Sequence, residues 1–277
     1  MPGRLAHVEP SYYAQPGPLT QLTSDQVELV RHLGTDPELL CRYAQALLTQ
    51  VGDAHGSGLS PVRMAERNTR PATALLQRAL ELDSSPLSVT RRPEHRVVGT
   101  CRHFAVLATA YLRAVAIPAR ARCGFASYFV PGKYVDHWIV EYWADAERWV
   151  RIDPEYLGTD VVQNSHDLAR GQFLTGGEGW ECIRGETADP MLFGVAGTEN
   201  WGAAEIRGNA IRDLASLNKV EMLPWDAWGP MEASYKGETG PEFDQLIDEV
   251  AAACRDEDTW APQAAYAKVA VPDEMIC

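Results

Sequence analysis

The sequence predicts an α+β domain in which helices pack against an antiparallel sheet. An apolar helix begins near Cys101 and ends before Pro118, and residues 121–129 then alternate between the two faces of a strand. Two further alternating runs, Val135 to Trp143 and Arg148 to Asp153, flank a short acidic connection and predict a β-hairpin. A central helix followed by antiparallel strands is typical of a helix packed on one face of a sheet.

The central helix carries apolar residues at helical spacing. Gly99 and Thr100 are typical of a turn and a helix N-cap, which makes Cys101 the first helical residue. The inward positions are Phe104, Leu107, Ala108, Tyr111, Leu112 and Val115. Because alanines keep the other faces small, we expect the helix to be buried on most sides. A thiol at a helix N-terminus lies at the positive end of the helix dipole, and we expect this position to lower its pKa.

The hairpin supplies an imidazole and a carboxylate on one face. A loop of four residues would mix the apolar and polar faces, whereas a loop of three residues (144–146) or five (143–147) keeps them apart. In that register Trp138 lies opposite Ile152, and His137 lies directly opposite Asp153. Each group alone is more typical of a structural residue, and the thiol alone of a buried core cysteine. Together they form the parts of a Cys-His-Asp nucleophilic site.

These residues resemble the core of the transglutaminase-like superfamily. The resemblance rests on four motifs in the same order along the chain: Gly99-Thr100-Cys101 before an apolar helix, Ile117-Pro118-Ala119-Arg120 at the helix exit, His137-Trp138 in a strand, and the strand end Trp149 to Pro154. The resemblance implies a papain-like core with a catalytic triad of Cys101, His137 and Asp153. It also extends to stand-alone bacterial members that continue into a tract such as Arg207-Gly208-Asn209 to Pro224-Trp225-Asp226.

The rest of the chain is expected to pack around this core. Residues 1–95 are predicted to be the N-terminal helical part of the domain, 96–157 the catalytic core, and 158–277 a helical C-terminal extension that packs on it. Residues 176–202, which are rich in Gly, Trp and Glu, predict a long ordered loop. Further helices are predicted at residues 24–33, 37–50, 60–83 with an interruption near Pro71, 203–217 and 241–254.

Composition narrows the possible functions and surroundings. The net charge of -13 argues against a nucleic-acid partner and weakly favours a cationic or amine-bearing substrate, although an acidic surface also serves solubility. No apolar run is long enough to span a membrane and no signal-peptide region is evident, so we expect a cytoplasmic protein without a membrane partner. The six cysteines show no tight pairing and should be mostly free thiols.

A metal site is the less favoured interpretation of the same cysteines and histidines. Cys101, His103, Cys123 and His137 include no Cys-x-x-Cys or His-x-x-x-His pair, which is the spacing that zinc sites commonly use. We therefore expect neither a metal nor another cofactor. No phosphate-binding glycine motif is present either.

The expected activity is cysteine-dependent acyl transfer on an amide or thioester carbonyl. Cys101 would form a thioester with the acyl group of a small-molecule or peptide donor, and an amine acceptor would then release it as an amide. Candidate substrate-binding residues are Trp138, Trp225 and Arg102. The preference for an amine over water rests on an aromatic pocket with Trp180, Trp201, Trp225 and Trp228 as possible walls. Two alternatives stay open, hydrolysis by the same triad and a non-catalytic binding module; the oligomeric state stays open too.

Overall fold

The structure is a computed structural model that describes residues 10–56, 58–144, 148–255 and 260–276. Its helices are α1 (Ser11–Ala14), α2 (Ser24–Arg31), α3 (Pro37–Gln45), α4 (Val51–Gly56), α5 (Pro61–Met64), α6 (Ala72–Leu82), α7 (Cys101–Ala114), α8 (Gly176–Arg184), α9 (Ala203–Leu217), α10 (Pro230–Tyr235), α11 (Pro241–Arg255) and α12 (Trp260–Val269). Its strands are β1 (Leu48–Gln50), β2 (Val97–Gly99), β3 (Ala119–Ala126), β4 (Tyr134–Ala144), β5 (Arg148–Ile152), β6 (Phe173–Thr175) and β7 (Phe193–Gly194). Within these ranges, no helix combines the length and the apolar character needed to cross a lipid bilayer.

The main sheet confirms the α+β prediction. Its strands lie in the order β5-β4-β3-β6, each antiparallel to its neighbour, and β7 pairs in parallel with the start of β4. β1 and β2 form a separate parallel pair directly before α7. This pair joins residues 48–50 to residues 97–99, so the predicted N-terminal part is bound to the start of the predicted catalytic core. The division into parts at residues 95 and 157 stays a prediction.

Helix α7 is the centre of the core, as its sequence predicts. Every residue from Cys101 to Arg113 is buried. The helix packs on the face of the sheet that carries Trp138 and Val140, and α2, α3 and α6 cover its other sides. The helix ends where Ala116 adopts a positive φ of 62°, two residues before Pro118, because neither residue continues a right-handed helix.

The side chains of the β-hairpin lie on the predicted faces of the sheet, but the pairing of β4 with β5 is shifted by two residues from the predicted register. Ile152 lies opposite Val140 and not opposite Trp138. The pairing leaves residues 145–147 as the connection, which lies outside the described residues. An even shift keeps every side chain on its predicted face, because side chains alternate with a period of two. His137 and Asp153 therefore share a face, but they meet diagonally and not as direct cross-strand partners.

The predicted loop at residues 176–202 is wrong, because it contains helix α8. The glycines that suggested a loop serve close helix packing. A Cβ atom on Gly176 would lie 2.2 Å from a backbone carbon of Asn209 in α9, so only glycine permits this approach. A Cβ on Gly177 would lie 3.1 Å from the Cα of Ala251 in α11. Helices α8, α9 and α11 form a second apolar core with Phe125.

Helix α9 also covers a part of β3 that lacks a strand neighbour on one side. β6 pairs only with residues 124–126 of β3. Beyond that point, the Asp213 carboxylate accepts a hydrogen bond from the Cys123 amide at 3.0 Å, and the Ser216 hydroxyl donates to the Ala121 carbonyl at 2.7 Å. These side chains satisfy backbone groups that an open sheet edge would leave unpaired.

Buried ion pairs join α9 to the two central strands. The Arg122 guanidinium donates to both oxygens of Asp213 at 2.8 and 2.7 Å, and to Glu141 at 2.8 Å. Arg120 and Arg151 also contact Glu141, at 2.7 and 2.9 Å. Although burial opposes ionisation, these arginines hold the pKa of the Glu141 carboxyl well below its usual range. Each charge is compensated, which is the condition under which a buried ion pair is tolerated.

Replacement of Arg122 by methionine should destabilise the fold strongly. It would leave the carboxylate of Asp213 buried without its main counter-charge, and such losses cost about 3–5 kcal/mol. Chemical denaturation would measure the change. The control is Arg148→Ala on β5, which removes an exposed pair with Asp167 and should leave the free energy of unfolding nearly unchanged. Equal effects of both variants would contradict this account of the network.

Candidate active site

Cys101 is the first residue of α7 and directly follows β2. Thr100 is the N-cap, as predicted, and its amide donates a hydrogen bond to Nδ1 of His103 at 3.0 Å. Burial lowers the pKa of His103 to about 3, so its ring is neutral and can accept this bond. Gly99 lies against the same ring, where a Cβ would be 2.8 Å from the His103 Cβ. The short strand and the cap together fix the position of the sulfur.

The structure brings Cys101, His137 and Asp153 together. Nε2 of His137 lies 2.9 Å from Oδ2 of Asp153, and both side chains are buried. This contact occupies Nε2 and leaves Nδ1 as the ring nitrogen available to the thiol. Burial of the His137 ring opposes its protonation, but the charge and hydrogen bond of Asp153 outweigh burial and raise the His137 pKa well above its usual value. The three residues therefore have the geometry of a thiol, a base and an orienting carboxylate.

The Asp153 carboxylate is fully buried and well supplied with donors. Besides His137, Oδ2 accepts a hydrogen bond from the Tyr128 hydroxyl at 2.5 Å. Oδ1 accepts from the backbone amides of Glu155 at 3.0 Å and Tyr156 at 3.3 Å. These donors replace the water that the carboxylate loses on burial. They also fix its orientation toward the imidazole. Tyr128 was not predicted as a site residue.

Aromatic rings enclose the His137 imidazole. The ring centroid of Phe129 lies 5.0 Å away, that of Tyr156 5.9 Å and that of Tyr128 6.1 Å. Because these rings exclude water, the His137–Asp153 interaction is stronger than it would be at an exposed site.

Burial of the sulfur works against the expected effect of the helix N-terminus. Cys101 is 8 % exposed, and burial raises the pKa of its thiol to about 11. The hydrogen bond and charge of His137 lower this pKa, while the carboxylates of Asp136 and Glu155 raise it further. The expectation of a lowered thiol pKa is therefore wrong for this structure. The stabilisation that a helix N-terminus gives to a thiolate is smaller than the free-energy cost of burying that thiolate away from water.

Glu155 is a fourth member of the site, and the sequence analysis missed it. The Sγ atom of Cys101, a ring nitrogen of His137 and a carboxylate oxygen of Glu155 all lie within 4.8 Å of one another. Burial raises the pKa of the Glu155 carboxyl to about 7, and its Oε2 atom is buried with no hydrogen-bond partner among the described residues. The signal in the sequence was its position two residues beyond Asp153, just after Pro154.

The same three atoms raise the question of a metal ion. Sulfur, imidazole nitrogen and carboxylate oxygen are all donors that Zn²⁺ accepts, and their spacing would allow an ion between them. This donor set differs from the one considered from sequence, because it includes Glu155 and neither His103 nor Cys123. Elemental analysis of the purified protein tests for such an ion directly.

Helix α9 supports the strand that carries His137. Asn209 donates to the Asp136 carboxylate at 2.8 Å and to the Gly124 carbonyl at 3.2 Å. Arg212 in turn donates to Asn209 at 2.9 Å and to Glu205 at 3.0 Å. The tract that begins at Arg207 thus connects the C-terminal extension to the residue next to His137.

A cavity of about 580 Å³ adjoins the site. Its walls come from α3, from β1 and α4, and from residues 155–161. Phe104, one turn along α7 from Cys101, also lines it. Among the described residues its lining includes Glu155 and Tyr156 but neither Cys101 nor His137. Glu155 therefore lies at the boundary between the cavity and the sulfur.

Two of the predicted substrate-binding residues are structural. Trp138 has no exposed surface and lies in the core beneath α7, on the face of β4 opposite that of His137. Arg102 is equally buried and donates to backbone carbonyls of Glu221 at 2.7 Å and Arg70 at 2.6 Å. Neither side chain offers a surface to a substrate. Arg102 instead ties α7 to two neighbouring loops.

The tryptophans proposed as pocket walls do not form one pocket. Trp180 is buried in the C-terminal core and donates to Asp248 at 2.7 Å, and Trp228 donates to the Val269 carbonyl at 3.0 Å. Trp201 lies beneath Lys133. Trp225 is 45 % exposed under the guanidinium of Arg67, and its role in binding stays a prediction.

The fold is a papain-like α+β core on which a thiol, an imidazole and a carboxylate lie close together. Residues 72–154 match the family model of the transglutaminase-like superfamily. The matched segment is similar to the core of that superfamily and includes Cys101, His137 and Asp153. The match to the transglutaminase-like family model supports cysteine-based catalysis in general and does not distinguish acyl transfer from hydrolysis.

Two further comparisons add little. No curated protein matches the sequence. One solved structure, from Cytophaga hutchinsonii and provisionally described as a cysteine protease, is similar at 19 % identity and a TM-score of 0.36. The match covers 53 % of this chain and 42 % of that protein's length. A likeness this low carries no argument about function.

Alkylation of Cys101 should be slow at pH 6 and accelerate with rising pH. With a thiol pKa of about 11, the thiolate fraction grows about tenfold per pH unit through the neutral range. Iodoacetamide labelling between pH 6 and 9, read by peptide mass spectrometry, would measure the rate. The partly exposed Cys182 provides an internal reference. Fast, pH-independent labelling of Cys101 from pH 6 to 8 would contradict the burial argument.

Proposed function

We propose that the protein transfers acyl groups from an amide or thioester donor to an amine through a thioester on Cys101. The observation that carries this proposal is the enclosed His137 ring, whose Nε2 is 2.9 Å from Asp153 and which has a nitrogen within 4.8 Å of the Cys101 sulfur. The site supplies a nucleophile, a proton acceptor and a charge that stabilises the protonated acceptor, which are the requirements of nucleophilic acyl transfer.

Acylation begins with transfer of the thiol proton to His137. The sulfur of Cys101 attacks the donor carbonyl carbon and forms a C–S bond. The imidazolium, stabilised by Asp153, then gives its proton to the leaving group as the original C–N or C–S bond of the donor breaks. Burial raises the pKa of the Cys101 thiol, which opposes loss of its proton. Because Asp153 raises the pKa of His137, it favours transfer of that proton to the imidazole.

The helix N-terminus can stabilise the oxyanion that forms during this attack. The first amides of an α-helix have no carbonyl one turn earlier to accept their hydrogen bonds. The Cys101 amide belongs to this group in α7, at the positive end of the helix dipole. This amide can therefore donate a hydrogen bond to the negative charge that develops on the carbonyl oxygen of the donor.

Enclosure of the site favours an amine over water as the acyl acceptor. Cys101, His137 and Asp153 are 8 %, 2 % and 0 % exposed, and three aromatic rings surround the imidazole. An acyl-enzyme in such a site is protected from bulk water. Hydrolysis by the same triad is the second candidate, and the ratio of the two products distinguishes them.

Cys101→Ala should abolish formation of an acyl-enzyme. With p-nitrophenyl acetate as an activated donor, the native protein is expected to release a burst of p-nitrophenol and to gain one acetyl group on Cys101. The assay contains a chelator, so that a bound metal ion does not contribute. Cys182→Ala is the matched control and should keep the burst. An undiminished burst in Cys101→Ala would contradict the mechanism, and no acylation of Cys101 in the native protein would favour a binding module.

Asp153→Asn should slow acylation by about 10²-fold or more, because the imidazolium loses its stabilising charge. The burst rate measured between pH 6 and 9 reports this change. Because the Asp153 charge raises the pKa of His137, its loss should lower that pKa and move the pH profile of the burst rate to lower pH. Tyr128→Phe removes one donor to Asp153 and should have a smaller effect. An Asp153→Asn profile identical to the native one would exclude this role.

A further inference from the structure

We propose that Glu155 binds the acyl acceptor as a primary ammonium ion and takes a proton from it, so that the free amine attacks the thioester. This inference rests on the proposed function and names the acceptor class. It assigns to Glu155 a role in the second half of the reaction only. Cys101 and His137 act in both halves.

The position of Glu155 separates the sulfur from the adjoining cavity. A carboxylate oxygen lies within 4.8 Å of both the Cys101 sulfur and a His137 nitrogen, and the same residue lines the cavity. Glu155 is therefore a residue that both lines the cavity and lies beside the sulfur, where its carboxylate can contact a molecule bound at the edge of the cavity. Glu155 lies only two residues beyond Asp153, and its backbone amide donates a hydrogen bond to the Asp153 carboxylate, which holds Glu155 close to the sulfur.

The unpartnered oxygen of Glu155 points to a ligand. The residue is 8 % exposed, and its Oε2 atom finds no hydrogen-bond partner among the described residues. A buried carboxylate oxygen without a donor is costly, and a bound water, ion or ligand is one explanation for such a group. An ammonium ion supplies both the hydrogen-bond donors and the opposite charge that this oxygen lacks.

The charges around the cavity also suit a cationic acceptor. Two carboxylates, Glu155 and Asp53, line it, and neither forms an ion pair within the described ranges. Of the two arginines that line it, Arg42 is neutralised by Glu38 at 2.8 Å, which leaves Arg96 as the counter-charge. Two unpaired carboxylates against one guanidinium give the cavity a net negative charge.

The proton chemistry of the transfer then balances. The ammonium gives one proton to the Glu155 carboxylate, and the neutral amine forms a C–N bond with the thioester carbonyl. His137 removes the second proton from nitrogen, the C–S bond breaks, and Cys101 leaves as a thiolate paired with imidazolium. After the amide product leaves, the Glu155 carboxyl gives this proton to solvent and returns to the carboxylate before the next acceptor binds. The acceptor for the first proton is the carboxylate oxygen that lies within 4.8 Å of the Cys101 sulfur.

Glu155→Gln separates this role from the rest of the reaction. Glutamine has the shape of the neutral carboxyl but neither binds an ammonium by charge nor accepts its proton. The experiment acetylates Cys101 with p-nitrophenyl acetate near pH 7 in the presence of a chelator. It then measures acetyl transfer to two acceptors: n-butylamine, which is an ammonium ion at this pH, and hydroxylamine, which is largely neutral.

We expect transfer to n-butylamine to fall about tenfold or more relative to transfer to hydroxylamine in Glu155→Gln, with both rates measured on the preformed acetyl-enzyme. Because the Glu155 carboxylate raises the pKa of the Cys101 thiol, its loss should speed acetylation, so the burst only verifies that the acetyl-enzyme has formed. Asp53→Asn is the matched control. It removes the other cavity carboxylate and should raise the n-butylamine concentration needed for half-maximal transfer without lowering the limiting rate.

The possible outcomes are distinct. Equal losses with n-butylamine and hydroxylamine, or no loss with either, would overturn the role of Glu155 while leaving the thioester mechanism in place. Native protein whose acetyl-enzyme forms but yields only acetate at every amine concentration would overturn the transfer reaction and this inference with it. Failure of Cys101 to acetylate at all would instead refute the proposed function, and the burst measurement identifies that case separately.

Discussion

The site depends on the burial of one carboxylate, that of Asp153. A charge without exposed surface is stable only when donors replace its water, and here those donors come from separate parts of the chain: the Tyr128 hydroxyl, the His137 ring and the amides of residues 155 and 156. The segment after β3, strand β4 and the turn after β5 must all be in place to satisfy it. The same requirement orients the imidazole toward Cys101.

The protonation states of the site result from competition between burial and partner charges. Burial penalises the thiolate, the imidazolium and the Glu155 carboxylate alike, but each has different neighbours. Asp153 reverses the effect for His137, whereas two carboxylates add to it for Cys101. The result is an imidazole that is a stronger base than usual beside a thiol that is a weaker acid than usual. A helix dipole alone does not predict this balance, because it ignores desolvation.

Local patterns were sufficient for the central part of the fold. The spacing of apolar residues after Cys101 predicted a buried α7, and alternation in β4 and β5 predicted which side chains share a face. The hairpin register was wrong by two residues, because facing constrains the register only to even shifts. Gly176 and Gly177 were read as a loop because glycine is typical of turns, while here it permits two helices to approach closely.

Periodicity and residue types in a fixed order were enough to predict the α+β class, the similarity to the superfamily core and the set of thiol, imidazole and carboxylate. Which other residues join this set depends on how distant parts of the chain pack together. Glu155 lies at the sulfur because a turn folds back beneath Asp153, and Trp138 is excluded because its side of the strand faces α7. Burial is a property of the whole packed chain, so the pKa of Cys101 and the unpartnered oxygen of Glu155 follow only from tertiary packing.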